Sequence, residues 1–103
     1  MATVRARTQT ATQSTGRFIS CYIDLDPSNT YGVFLMYSND YGVTWSAPVT
    51  IQTGVATTTF YIVNDSLDRL WIYYSKIVGG AIKLFYKTTI DLGVTLSAEV
   101  EVV

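Results

Sequence analysis

Apolar and polar residues along this chain fall into short runs separated by turn-forming clusters, with no sustained 3.6-residue period. Thr3 to Gln13, rich in Thr, Gln and Arg, predicts a polar strand. Arg17 to Asp24 (RFISCYID) predicts a second, ended by the turn residues Asp26-Pro27-Ser28-Asn29. Tyr31 to Tyr37 and Pro48 to Thr53 predict the third and fourth. The pattern then restarts. Val55 to Val63, Leu70 to Ser75, Ala81 to Thr88 and Glu99 to Val103 predict four more strands. Turns at Asn64-Asp65-Ser66-Leu67-Asp68 and at Gly79-Gly80 separate the first three of these. Helix is absent from the expectation.

The restart is an internal repeat. Ser38 to Trp45 reads SNDYGVTW, and 51 positions on Thr89 to Leu96 reads TIDLGVTL. At the same offset Gly42, Val43, Thr44, Ser46, Ala47 and Val49 recur as Gly93, Val94, Thr95, Ser97, Ala98 and Val100. Val4 with Val55, Thr8 with Thr59, Tyr22 with Tyr73 and Phe34 with Phe85 also match. Read without a gap, two 51-residue units behind Met1 fill the chain, residues 2–52 and 53–103. Each unit carries four predicted strands.

Every polar position of SNDYGVTW has a physical task. Asp40 can turn its carboxylate onto amides ahead of it, Thr44 offers a hydroxyl to the turn backbone, and Ser38 opens the turn. Gly42 supplies a positive φ without steric cost, and Trp45 is large enough to pin the turn on the sheet. In the second copy Asp91, Gly93 and Thr95 repeat these roles, while Leu96 replaces Trp45 and anchors less firmly. The stretch resembles the Asp-box, Ser/Thr-x-Asp-x-Gly-x-Thr-Trp, of the BNR repeats of sialidases and related β-propellers. The resemblance implies an all-β chain of two four-stranded antiparallel propeller blades, residues 2–52 with the box at 38–45 and residues 53–103 with a degenerate box at 89–96. In that family the box is a structural turn away from the catalytic pocket.

Two blades alone leave two outer faces bare. Four strands about 4.8 Å apart and about five residues long present roughly 300 Å². Covering one face contributes on the order of 7 kcal/mol at ~25 cal/mol per Å², as much as the whole stability of a small domain. Apolar strands such as Leu70 to Tyr74 fit sheets covered on both faces. Head-to-tail association of identical chains closes a ring if the angle permits. Propellers carry 4 to 8 blades, so two-blade chains close as dimers to tetramers. The six-bladed sialidases imply a homotrimer. The alternative is a two-layer sandwich monomer with polar outer faces.

Composition narrows the chemistry. The chain has 103 residues, 49% apolar and 15% charged, with a net charge of -1. That excludes disorder and disfavours nucleic-acid binding, which wants a basic face. Having no histidine excludes His-based triads and His-metal sites, and the single Cys21 excludes an internal disulfide. No cofactor or metal is expected. The first residues lack an apolar leader segment and no run reaches membrane-spanning length, so a product made in the cytoplasm is expected, virion-associated or released by lysis.

The sialidase active site does not carry over. Only four arginines exist, Arg5, Arg7, Arg17 and Arg69, and none falls in a motif of the family's arginine triad. Glu99 and Glu101 read as charges on an edge strand rather than as a catalytic pair. A non-catalytic, lectin-like module is the expectation, because aromatic faces stack on sugars while polar side chains bond the hydroxyls. The candidates are Trp71, Tyr73, Tyr74 and Tyr31, with Arg17, Asp24, Asp26, Asp68 and Arg69 nearby. Arg5 and Arg7, two apart on the first strand, form a candidate anion site in a central channel. The other function class is a structural or decoration component of a phage particle.

Overall fold

The computed structural model describes residues 7–25, 30–55 and 60–102. Arg5, Asp26, Val4 and Thr59 lie outside them, as does the side chain of Arg7. The described residues form two four-stranded antiparallel sheets and no helix. The first sheet runs in the order β1 (Arg7–Thr12), β2 (Phe18–Leu25), β3 (Tyr31–Ser38) and β4 (Val49–Val55). The second repeats it with β5 (Phe60–Asn64), β6 (Leu70–Val78), β7 (Ala81–Thr89) and β8 (Val100–Glu101). Sequential hairpins suffice because, within each sheet, every strand pairs with its chain neighbour. β4 runs on to Val55, so the first sheet extends past the expected boundary at residue 52, and Val55 does not open β5. Ile51 and Gly54 are each an extra residue against β3, and Gly54 takes φ 68° there.

The strand pairing corrects the gap-free repeat. Phe18 pairs with Ser38 in the first sheet and Leu70 with Thr89 in the second. The two β2-type positions are therefore 52 apart, while the β3-type positions are 51 apart. The loss of one residue falls in the hairpin after the second strand. Leu25 pairs with Tyr31 across five intervening residues, Ile77 with Ile82 across four. Tyr22 thus corresponds to Tyr74, not to Tyr73. Each stacks on the matching β3-type phenylalanine, Tyr22 on Phe34 at 5.5 Å and Tyr74 on Phe85 at 6.4 Å. Backbone conformation agrees with the 52-residue shift, because Gly16 and Asp68 both take positive φ, 88° and 58°.

This shift decides which faces meet. Ile19, Cys21, Ile23, Val33 and Leu35 of the first sheet are fully buried in one cluster with Leu70, Ile72 and Tyr74 of the second. The counterparts of Ile19 and Cys21 are Trp71 and Tyr73, on the other side of β6 from Leu70 and Ile72. Equivalent sheets therefore join through opposite faces. The packing is head to tail, with the thickness of two layers, 19 Å, beside extents of 42 and 37 Å. Within the single chain β6 alternates: Leu70, Ile72 and Tyr74 are buried and Trp71, Tyr73 and Ser75 half-buried.

Polar side chains stitch the same joint. The Gln9 amide donates to the carbonyl of Phe60 (2.6 Å) and its oxygen accepts from the amide of Ile62 (3.0 Å). Gln13 reaches Asn64 and the Asp68 carbonyl, and Lys87 donates to the carbonyl of Ile51.

Candidate functional site

The turns at 38–45 and 89–96 are built alike. Ser38 Oγ donates to Asp40 Oδ1 (2.7 Å) and accepts from the amide of Gly42 (2.8 Å). Thr89 Oγ1 makes the same bonds to Asp91 and from Gly93, both 2.9 Å. The amides of Thr44 and Thr95 donate to the two carboxylates at 2.8 and 2.9 Å. Hydrogen bonds, led by the Thr44 hydroxyl, hold the Asp40 carboxyl down at about 2. The Thr95 amide and the Thr89 hydroxyl likewise lower Asp91. Positive φ falls on two consecutive residues in each turn, Tyr41–Gly42 and Leu92–Gly93, so glycine carries only half of it. The Trp45 indole donates to the Gly42 carbonyl at 3.1 Å, a bond that Leu96 cannot make.

These turns consume their carboxylates internally. Asp65 does the same in the β5–β6 hairpin, accepting from Leu67 and Arg69 amides and from the Trp71 indole (3.0 Å). The Trp71 bond is the main reason its carboxyl lies below the usual range. Asp68 accepts from Ser14 and Asn64, and the Ser14 hydroxyl contributes most to lowering it. Glu99 accepts from Tyr74 and Lys76; burial pushes its carboxyl up, and these bonds outweigh that. Glu101 lies 3.9 Å from Lys83. Among the described residues no three potential metal ligands gather.

The sugar-site candidates do not converge on one place. Tyr74 is fully buried, its hydroxyl on Glu99 and 3.3 Å from Gln52. Burial, with help from Glu99, pushes that phenol upward. Tyr31 opens β3 at the sheet end remote from the Ser38–Trp45 turn. Arg17 lies at the end of the Ser38–Trp45 turn, donating to Asn39 and covering the Tyr37 ring. Arg69 flanks the Asp65 turn and is exposed. Asp24 is nearly buried.

Trp71 and Tyr73 do come together, on the open face of the second sheet. Tyr86, across the register from Tyr73, meets both rings edge to face at 5.3 and 5.5 Å. Tyr61, Val63, Leu84, Val100 and Val102 surround them, each more than two-fifths exposed. Sequence reading missed Tyr86 and Tyr61. Their signal was the two-residue period of β5 and β7, usable only once the register was known. On the outer face of the first sheet a slot of about 280 Å³ opens between Thr10, Thr12, Phe18 and Trp45.

No family model matches the chain, and no curated protein matches it.

Proposed function

We propose that the chain is a non-catalytic, self-assembling β-propeller module, two blades per copy, that closes a six-bladed ring as a homotrimer. The carrying observation is the head-to-tail joint between equivalent sheets. A joint of that kind leaves one face of each type uncovered, and the two are complementary by construction. The apolar outer face of the second sheet supports the ring over a monomeric sandwich, which would turn polar faces outward. The reading is non-catalytic because Asp40, Asp65, Asp68, Asp91 and Glu99 are committed to turns and ion pairs.

A structural or scaffolding role follows most directly, because covering Trp71 and Tyr73 by a neighbouring copy removes the two best sugar platforms. Glycan binding would then fall to exposed groups outside the sheet faces, with Tyr31, Arg17 and Arg69 the candidates. Light scattering on the purified chain tests the ring: the expected mass is three times the 11.4 kDa chain. A chain-length mass at micromolar concentration would end the proposal. A glycan array run on the same sample separates the roles, and binding of any sugar would favour the lectin-like reading.

A further inference from the structure

We infer that the aromatic face of the second sheet docks on the outer face of the first sheet of another copy, repeating the joint already made within one chain. The inference rests on the assembly reading above and names its interface.

The repeat supplies the contact map. Within the chain, a Cβ on Gly93 would lie 2.8 Å from Val49 Cγ1 and 3.6 Å from Ile51 Cδ1, so only a hydrogen fits. The counterparts of Gly93, Val49 and Ile51 are Gly42, Val100 and Val102. Inside one chain a Cβ on Gly42 would meet nothing closer than Trp45 at 3.8 Å. Val100 and Val102 are meanwhile 43% and 41% exposed. A second copy brings the two valines onto Gly42.

Side-chain size changes in step on the two faces. On the docking side of the second sheet Cys21, Ile19 and Leu35 are replaced by Tyr73, Trp71 and Tyr86. On the receiving side of the first sheet Phe60, Ile62 and Ile72 are replaced by Thr8, Thr10 and Ser20. Larger groups meet smaller ones, so the gap between sheets is conserved, as close packing requires. The slot between Thr10, Phe18 and Trp45 leaves room on this receiving face for a bulkier group. The polar ties do not repeat: Gln9, Gln13, Lys87 and Asp68 correspond to Tyr61, Asp65, Met36 and Gly16. The joint between copies therefore relies more on apolar contact than the joint within a chain.

Mixing two face-specific variants tests the pairing. Leu84→Glu/Val100→Glu spoils the aromatic face, and Thr8→Glu/Thr10→Glu spoils the receiving face; all four positions are exposed in the single chain. Each variant alone should fall to chain mass. An equimolar mixture should form a one-to-one dimer and nothing larger, because only one good junction remains. Retention of full assembly by Thr8→Glu/Thr10→Glu would overturn the inference, since the assembly then does not use the receiving face. So would a mixture that stays at chain mass with native circular dichroism. If a double variant loses its strand signal, Val100→Glu and Thr10→Glu singly give the same readout. An unmodified assembly of other than three copies, with the mixture dimeric, would overturn the six-bladed ring and leave this interface standing.

Discussion

Replacing Gln9 by Ala removes the clearest polar tie between the two sheets. The Gln9 amide holds both the Phe60 carbonyl, at 2.6 Å, and the Ile62 amide, at 3.0 Å, on the edge of β5 turned away from β6. No strand covers that edge among the described residues. Two intramolecular hydrogen bonds contribute about 1 kcal/mol each. If the two backbone groups stay dry after truncation, the cost rises toward about 4 kcal/mol. With a urea slope near 1.3 kcal/mol per M, typical of a small domain, a loss of about 2 kcal/mol moves the midpoint down by about 1.5 M. Chain concentration must be equal in both samples, because any assembly makes the midpoint concentration-dependent. Gln9→Glu sharpens the test. Its carboxylate can accept from Ile62 but repels the Phe60 carbonyl; protonated, it can donate again. Its folded-state pKa is thus raised, and its deficit relative to the parent should shrink as pH falls from 7 to 4. An unchanged slope with a Gln9→Ala midpoint within about 0.3 M of the parent would refute the reasoning.

Two further outcomes follow from the same geometry. Asp40 is held at about 2, below its ordinary 3.8, so its stabilisation is complete above about pH 4 and disappears as pH falls through about 2; Asp40→Asn should flatten that acid limb in pH-dependent thermal melts, and an unaltered limb would count against the turn's role. Cys21 is fully buried and burial pushes its thiol up to about 12, so a thiol reagent at pH 8 should label it only as the chain unfolds; stoichiometric labelling within seconds in native buffer would contradict the packing.

All eight strands were legible in the sequence because turn clusters and β-rich runs alternate so regularly. The turns at 38–45 and 89–96 were legible because their side chains bond their own backbone, a local interaction that local sequence encodes. What sequence hid was one missing residue. At a uniform offset of 51, Ile19, Cys21 and Ile23 align with Leu70, Ile72 and Tyr74, which would join like faces in a symmetric sandwich. Strand pairing moves that alignment by one, and a one-residue slip sends every side chain to the other face. The adjacent tyrosines Tyr73 and Tyr74 concealed it, since Tyr22 finds a tyrosine at either offset. The same slip explains why Trp71, Tyr73 and Tyr74 could be nominated together although Tyr74 points into the core. Positive φ at Tyr41 and Leu92 was equally unreadable, because neither side chain favours it.

A covalent ladder tests the head-to-tail ring most directly. A Cβ on Gly93 would stand 3.6 Å from Val49 Cβ, within the span of a disulfide, so Gly93→Cys/Val49→Cys should close within one chain. Gly42→Cys/Val100→Cys places the same pair on the two outer faces, and Cys21 is too buried to interfere. Oxidised and run without reductant, that variant should give bands of one, two and three chains, with none beyond and a single band after reduction. Bands of one chain only, or pairs that never extend, would contradict the ring.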